Sequence, residues 1–299
     1  MAATTPLSWA GSKTASFGKI IKHIKHIPPT ITKYVEPFVG GGAFLFNILA
    51  ACDAGELHFK QFTASDANPV LIEFFINVRD DAPALLQHLK RIEQDFNSLT
   101  VMQQSDYYFA ARDKYNRVKH TPSALTTSAL FMFLNKTAFG GLYRENSAGK
   151  FNVAFGGQHR KLKRTLDLTS AIAAASDVLR MHNVKFYVRD ALKTPLAGID
   201  STTFVYLDPP YAIGKHNTFA SYLRQGFSDA EQVALIELII AMRKKGACVL
   251  MSNSDTPQLR KTARVRKMDQ TAMRTRRSIA SGKTSTELLV GFFCDGRKH

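Results

Sequence analysis

The chain has 299 residues, 45% of them hydrophobic, which is enough for one large domain or two modest ones with a real core. Its 40 lysine and arginine residues against 24 aspartate and glutamate residues give a formal net charge of +16, which favours a polyanionic partner, nucleic acid before an acidic membrane surface. No apolar stretch is long enough to span a bilayer, and the N-terminus lacks the charged head and apolar block of a secretion signal. A basic protein without a polyanionic partner remains the alternative.

Residues that commonly bind metals are sparse. Cys52, Cys248 and Cys294 are far apart and show no CxxC spacing, which fits a reducing cytoplasm and excludes a cysteine zinc site of the usual kind. His23 and His26 lie on a predicted basic helix, with no third ligand nearby. We therefore expect a cytoplasmic protein without a bound metal.

Strand signals alternate with helix signals along most of the chain. The first predicted strand contains Tyr34 and is followed by a glycine turn and an apolar helix; the second ends near Asp66, before a helix that begins at Asn68. Further strands are predicted at 184–190 (VKFYVRD), 202–208 (TTFVYLD), 247–255 (ACVLMSNSD) and 287–293 (ELLVGFF), with a helix at 228–244. This alternation predicts an α/β fold with a mostly parallel sheet and helices on both faces.

The alternation is interrupted between about residues 82 and 176. The pattern is helical to about residue 134, and the glycine-rich stretch KTAFGGLYRENSAGKFNVAFGG (136–157) then predicts a hairpin with long arms. We therefore predict that residues 1–81 and 177–299 form one domain and that residues 82–176 are an inserted subdomain.

Two stretches beyond predicted strand ends have the composition of a ligand site. Gly40, Gly41 and Gly42 let the backbone turn tightly and approach a ligand closely, although such glycines are also common in ordinary turns. Asp66 lies where a carboxylate can accept hydrogen bonds from both ribose hydroxyls, but a helix N-cap explains it equally well. The absence of lysine and arginine near either stretch favours an uncharged nucleoside ligand.

The stretch DPPY is more specific. Asp208 ends a predicted buried strand, and the two prolines after it fix the backbone and remove two hydrogen-bond donors. The carboxylate and the carbonyls of Asp208 and Pro209 therefore form a rigid set of acceptors, with the ring of Tyr211 beside them. Such a site suits a planar amine, such as the exocyclic NH2 of adenine or cytosine.

These motifs, in this order, resemble the Dam-type (D12 class) DNA adenine-N6 methyltransferases over nearly the whole chain. The shared motifs are PLSWAGSK, EPFVGGGAF, Asp66, NKTAFGGLYRENSAGKFNVAFG, DPPY, SNSDT and RRSIASG. The resemblance implies a Rossmann-like, S-adenosylmethionine-dependent methyltransferase sheet whose insert, helical with a hairpin, recognises DNA, in a bacterial or phage-encoded protein. It places cofactor contacts on Trp9, Lys13, Phe38, Gly40, Asp66 and Asp208, and catalysis on Asp208, Pro209, Pro210 and Tyr211.

The same resemblance implies contacts to double-stranded DNA. Within the predicted hairpin it marks positions that insert into or read the duplex: Phe139, Gly140, Leu142 and Arg144. Arginine binds guanine through two hydrogen bonds in the major groove, so Arg144 is the expected base reader, with a contact to phosphate alone as the alternative. Ser8 replaces a lysine that contacts the first guanine in family members that methylate GATC. The resemblance therefore does not predict which outer base pair this protein recognises.

The basic stretch at 259–283 predicts phosphate contacts, with Arg276, Arg277 and Ser278 as anchors; an exposed surface strand and loop is the alternative. Together these features predict adenine-N6 methylation of duplex DNA at GATC or a relaxed relative of that site, with base flipping. Alternatives are methylation with little sequence specificity, cytosine-N4 or protein-amide methylation on the same fold, and a DNA-binding module whose site is vestigial.

Overall fold

A single sheet organises the computed structural model, which describes residues 3–9, 11–120, 124–157, 165–210, 227–276 and 284–294. Seven strands form this sheet: β1 Lys33–Glu36, β2 Gln61–Asp66, β3 Lys185–Val188, β4 Thr203–Leu207, β5 Cys248–Ser254, β6 Asp269–Arg276 and β7 Thr284–Phe292. The strands predicted from the sequence correspond to β1 to β5 and β7. The remaining strand, β6, lies in the basic stretch 259–283, for which an exposed surface strand and loop is the alternative to phosphate contacts.

Nine α-helices occur in the described ranges. They are α1 Phe17–Ile20, α2 Ala43–Asp53, α3 Pro69–Asp80, α4 Ala82–Ser98, α5 Val101–Val118, α6 Ala124–Thr137, α7 Ser170–Met181, α8 Asp229–Lys244 and α9 Pro257–Val265. α8 begins with a capping box, because the Ser228 side chain accepts a hydrogen bond from the Glu231 backbone and the Glu231 side chain accepts one from the Ser228 backbone. No helix in these ranges is both long enough and apolar enough to cross a membrane.

The strand order is β3-β2-β1-β4-β5-β7-β6. β1 is parallel to both β2 and β4, β4 is parallel to β5, and β7 is antiparallel to β5 and β6. The order reverses direction between β1 and β4, and in open α/β sheets the ligand crevice lies at the carboxyl ends of the strands at such a point. The predicted α/β class is confirmed, and the topology marks the ends of β1 and β4 as the place for a site.

The central strand β4 is buried along its whole length, as expected for a parallel strand covered on both faces. Val205 and Leu207 face an aliphatic layer that includes Val249. Phe204 faces the other side, where its ring stacks on Tyr34 with centroids 6.2 Å apart. Alternation along the strand therefore places Tyr206 and the residue after the strand, Asp208, on the aromatic side.

The chain divides into two compact units. The first contains Met1–Ser12, Gly40–Phe46 and Asn68–Phe186, and the second contains Lys13–Val39, Asn47–Ala67 and Tyr187–His299. The predicted insert, residues 82–176, lies within the longest segment of the first unit. Its boundaries stay a prediction.

The first unit is built around α6. Residues 129–134 of this helix (ALFMFL) are all buried, because α3, α4 and α5 pack around it. A helix that is apolar on every side belongs in the interior of a bundle, and this pattern made the stretch recognisable as helical in the sequence.

A disulfide joins Cys248, the first residue of β5, to Cys294, with Cα atoms 5.6 Å apart. The spacing of the cysteines did not predict this pair, because 46 residues separate them in the sequence and only the antiparallel pairing of β5 with β7 brings them together.

Gly291 of β7 lies against β5 so closely that a side chain does not fit. A Cβ atom built there would lie 1.9 Å from the carbonyl oxygen of Val249, a backbone atom that can move only with its strand. We expect Gly291→Ala to lower the free energy of unfolding by about 3 kcal/mol, the upper range for overpacking, measured by urea denaturation.

Gly18 is the matched control for this substitution. It lies in α1, is exposed and would meet nothing within 4 Å of a Cβ atom. Gly18→Ala should leave the stability unchanged or raise it slightly, because alanine is the better helix former. Equal effects of the two substitutions would contradict the close approach of β7 to β5.

Candidate active site

Asp208 follows β4 at the carboxyl edge of the sheet, beside the point where the strand order reverses. Its Oδ1 atom lies 3.0 Å from Nζ of Lys13 and accepts a hydrogen bond of 2.9 Å from Oγ of Ser252. One fifth of the Asp208 side chain is exposed, so the carboxylate is mostly buried but remains accessible at the sheet edge. The structure thus holds this carboxylate by one oxygen, with a cation and a hydroxyl.

Lys13 is buried, with 4% of its side chain exposed, and it lies between two carboxylates. Its Nζ atom is 3.0 Å from Asp208 and 3.5 Å from Oε1 of Glu287 on β7. Burial raises the pKa of Asp208, and the charge and hydrogen bond of Lys13 partly offset that rise. The net shift of the Asp208 pKa is upward, so Lys13 reduces the energetic cost of the charged carboxylate but does not remove it.

Ser252 is itself held by Tyr206, whose hydroxyl oxygen lies 2.9 Å from Oγ of Ser252. Ser252 donates its one hydroxyl hydrogen to Asp208, so Tyr206 must be the donor in the second bond. Burial raises the pKa of Tyr206, which keeps the phenol neutral and able to donate. Neighbouring strands β4 and β5 place these three side chains on one face, and the result is a directed chain of hydrogen bonds that ends on Asp208.

Glu36 is a buried acid at the end of β1 that the sequence analysis did not single out. Its side chain is 2% exposed, and Oε2 accepts a hydrogen bond of 2.7 Å from the hydroxyl of Tyr34. Burial raises the pKa of Glu36 well above its usual range; the hydrogen bond from Tyr34 lowers it, and the charges of Asp208 and Asp66 raise it further. The sequence feature that could have identified Glu36 is its position at the end of a predicted strand, directly before the proline of the EPF motif.

Asp66 is the last residue of β2, and it does not cap the following helix. The cap of α3 is Asn68, whose Oδ1 accepts hydrogen bonds from the backbone of Val70 at 3.1 Å and of Leu71 at 3.3 Å. The N-cap alternative for Asp66 is therefore wrong, and the carboxylate contributes instead to the acidic edge of the sheet.

Phe38, two residues beyond β1, is half-buried and packs edge-on against Phe227, with centroids 5.8 Å apart.

In the first unit, the glycine turn fits around Trp9. A Cβ atom at Gly41 would lie 2.4 Å from Cβ of Trp9, and one at Gly40 would lie 3.1 Å from its indole ring. Gly40 also has a φ of +48°, which side chains rarely adopt. A Cβ atom at Gly42 would lie 2.9 Å from the ring of Phe75. These glycines therefore have a packing reason that is independent of any ligand.

Trp9 also stacks on Tyr143 of the glycine-rich loop, with ring centroids 5.8 Å apart and an interplanar angle of 19°. The Tyr143 hydroxyl donates a hydrogen bond of 2.6 Å to Glu145, which also pairs with buried Lys119. Burial raises the pKa of Tyr143, so it remains a neutral donor. This buried network fixes the base of the loop.

The loop itself differs from the predicted long-armed hairpin. Residues 136–157 are all described, and among them two isolated antiparallel bridges, Ala138 with Phe155 and Glu145 with Phe151, take the place of paired strands. The sequence pattern overstated the pairing because the side chains of Tyr143 and Glu145 bond to α5 and the residue after it instead of lying along a ladder.

The predicted DNA-contacting residues of this loop lie together near its surface. Phe139 is 64% exposed, Gly140 has a φ of +63°, and Leu142 is half-buried. Nε of Arg144 donates a hydrogen bond of 2.8 Å to Oδ1 of Asn152, across the loop.

Ser8 packs near the same loop, because a Cβ atom at Gly141 would lie 3.0 Å from Cβ of Ser8. The Ser8 backbone is held at both ends by Asn135: its N–H donates to Oδ1 at 2.9 Å, and its carbonyl accepts from Nδ2 at 2.6 Å.

Arg276 ends β6, and Tyr211, Arg277 and Ser278 lie outside the described residues. Pro209 is buried and Pro210 is exposed.

The strand order, a mostly parallel seven-stranded sheet with one antiparallel strand between β5 and β6, is consistent with the Rossmann-like fold of S-adenosylmethionine-dependent methyltransferases. Residues 9–275 match the family described as D12 class N6 adenine-specific DNA methyltransferase, and the chain belongs to that family.

Named relatives extend over most of the chain. It is 35% identical over 251 residues to the type II methyltransferase M.MjaIII of Methanocaldococcus jannaschii, covering 83% of each chain. It is 30% identical over 289 residues to the type II methyltransferase M1.LlaDCHI of Lactococcus lactis, covering 94% of this chain and 93% of the relative. It is 27% identical over 290 residues to a DNA adenine methylase of Vibrio cholerae, covering 96% and 95%.

The raised pKa of Glu36 has a consequence for stability. Above the ordinary glutamate pKa of about 4.3, Glu36 releases its proton in the unfolded chain but keeps it in the folded chain. The folded state therefore becomes less stable as the pH rises through this range. Glu36→Gln removes this titration, so its free energy of unfolding relative to the wild type should increase between about pH 4.3 and pH 8. Urea denaturation at several pH values measures the trend.

Asp200 provides a control of opposite sign. A hydrogen bond from Lys33 lowers the pKa of Asp200, so the stabilisation is present above the unfolded pKa and is lost as the pH falls. Asp200→Asn should therefore destabilise more at neutral pH than in acid. A difference for Glu36→Gln that does not change with pH would show that Glu36 is ionised in the folded chain.

Proposed function

We propose that this protein methylates the N6 amine of adenine in duplex DNA, at GATC or a relaxed relative of that site. The observation that supports this most is the way in which Asp208 is held. Within the described residues, both of its polar contacts fall on Oδ1, which orients the carboxylate and leaves Oδ2 to accept a hydrogen bond from a substrate amine.

Two acceptors suit the two hydrogens of an exocyclic amine: Oδ2 of Asp208 and the carbonyl of Pro209. Hydrogen bonds to both would favour a pyramidal nitrogen with a localised lone pair and stabilise the positive charge that develops on it. A charged Asp208 serves this role, and the contact with Lys13 favours the charged form. Tyr211, the proposed stacking partner of the base, follows from the DPPY motif alone.

The residues at the sheet edge suit S-adenosylmethionine, which supplies an electrophilic methyl group when it is bound. Asp66, the last residue of β2 at the carboxyl edge of the sheet, is proposed to accept hydrogen bonds from the ribose hydroxyls. Trp9, Lys13, Phe38 and Gly40 are the further contacts that the family resemblance implies. Lys13 is proposed to meet the methionine end while it holds Asp208.

For the duplex, we propose that Phe139, Gly140, Leu142 and Arg144 form the recognition loop and that Arg276, Arg277 and Ser278 bind phosphates. The exposed ring of Phe139, beside a glycine with positive φ, suits insertion into the base stack. The target adenine must leave the stack to reach Asp208, at a cost of a few kcal/mol.

The central experiment incubates the purified protein with S-adenosylmethionine carrying a labelled methyl group and with plasmid DNA, followed by nucleoside analysis and sequencing of the modified bases. Label in N6-methyladenine within one recognition sequence supports the proposal. Label in N6-methyladenine without a common flanking sequence supports the alternative of methylation with little sequence specificity. Label in N4-methylcytosine or in protein would identify another acceptor, and DNA binding without any label would favour a vestigial site.

Asp208→Ala should abolish methyl transfer while DNA binding is largely kept. Loss of a preorganised electrostatic contact lowers kcat on the order of a hundredfold or more. Trp9 is the only tryptophan of the chain, so its fluorescence can report binding of the cofactor to the variant.

Asp177→Ala is the matched control, because Asp177 is an exposed acid on α7. It should turn over at the wild-type rate. Normal turnover by the Asp208 variant would end the role assigned to that carboxylate.

Arg144→Ala should relax discrimination at one guanine, by the roughly 1–3 kcal/mol that a bidentate base contact provides. Competition between duplexes that differ at single positions measures this preference. Lys150→Ala, which removes an exposed cation of the same loop, should leave the preference unchanged. If the Arg144 variant loses the same factor on every duplex, Arg144 binds phosphate and does not read a base.

A further inference from the structure

A basic pocket lies at the start of α9, outside the site described above. It has a volume of about 470 Å³ and is lined by Asp255, Pro257, Arg260, Lys261 and Arg264. The helix is amphipathic: Leu259 and Ala263 are buried, whereas Lys261 and Arg264 are exposed. The hydrophobic contacts on one face therefore fix the basic face toward the solvent.

The carboxylate in this pocket is already engaged. Asp255 accepts two hydrogen bonds from the guanidinium of Arg260, at 2.6 and 2.7 Å. This bidentate pair orients Arg260 as a wall of the pocket. Lys261 and Arg264 form no ion pair with any described residue, so the pocket keeps an excess of positive charge.

The topology places the pocket on the same edge of the sheet as Asp208. Ser252 near the end of β5 donates a hydrogen bond to Asp208, and Asp255 follows it by three residues, which an extended chain spans in about 10 Å. We propose that Lys261 and Arg264 bind one or two adjacent backbone phosphates of the DNA strand that carries the target adenine. This inference rests on the proposed function and identifies, within the basic stretch 259–283 already predicted to contact phosphates, a pair of cations separate from the anchors at 276–278.

Phosphate contacts of this kind contribute affinity without reading sequence. Each neutralised phosphate releases counterions and contributes about 0.9 to the slope of log K against log salt concentration. Replacing Lys261 and Arg264 together should therefore weaken binding on the order of tenfold or more at about 0.1 M salt and reduce that slope by up to about 1.8.

The test compares two variants that each lose two positive charges. Lys261→Gln with Arg264→Gln changes the pocket, whereas Lys244→Gln with Lys245→Gln changes exposed cations at the end of α8, which precedes the amino end of β5. Duplex affinity is measured by fluorescence anisotropy over a range of salt concentrations, and the unfolding temperature of each variant is checked. Lys261→Arg with Arg264→Lys keeps both charges and should retain wild-type affinity.

A set of duplexes in which single phosphates near the adenine are replaced by uncharged methylphosphonate then locates the contact. The wild type should lose affinity at one linkage or two, and the Lys261/Arg264 variant should lose nothing further there. Equal affinities and salt slopes for the two double variants would overturn the inference, provided that the wild type binds and methylates the duplex. If the wild type does neither, the proposed function fails first.

Discussion

The ion pair between Lys13 and Asp208 is the interaction on which the rest of the site depends. Moving two charges out of water costs several kcal/mol for each ion, and the attraction between them repays this only with good geometry and further hydrogen bonds. Here Ser252 donates to the same oxygen that faces Lys13, and Glu287 lies on the other side of the ammonium. These contacts tie the segment after the N-terminus to β4, β5 and β7, so the position of the carboxylate is set by the whole sheet edge.

Acidic groups crowd this edge. Glu36 and Asp66 end β1 and β2, Asp208 follows β4, and the charges of Asp208 and Asp66 raise the pKa of Glu36. Burial raises the pKa of Glu36 so that it keeps its proton, and within the described residues the hydroxyl of Tyr34 is the hydrogen-bond donor that partly offsets this rise. Asp208 has Lys13 and Ser252, so the same edge contains a neutral acid and a carboxylate whose charge is supported. An edge of this kind suits ligands that donate hydrogen bonds or carry positive charge.

The sequence predicted those features that local pattern controls. Unbroken apolar runs identified β4 and β5, the glycines marked the turn after β1, and DPPY marked the acid at the end of β4. Features that depend on long-range pairing were not predictable. Nothing near Lys13 indicates Glu287 as its neighbour, since only the antiparallel return of β7 beside β5 brings them together. The short loop in place of a hairpin has the same origin, because α5 and the residue after it supply the partners of Tyr143 and Glu145.

Burial separates the cations of this chain into two groups with different roles. Lys13 and Lys119 are buried and paired with carboxylates, and salt screens such pairs only weakly. Lys261 and Arg264 are exposed, and mobile ions compete with any phosphate that they bind. Under the proposed function, the net charge of +16 is not a uniform attraction for DNA: Lys13 fixes the sheet edge and Lys119 the base of the glycine-rich loop, whereas the exposed cations would contribute an affinity that salt screens. Salt should then act on the encounter with the duplex, while the geometry around Asp208 persists.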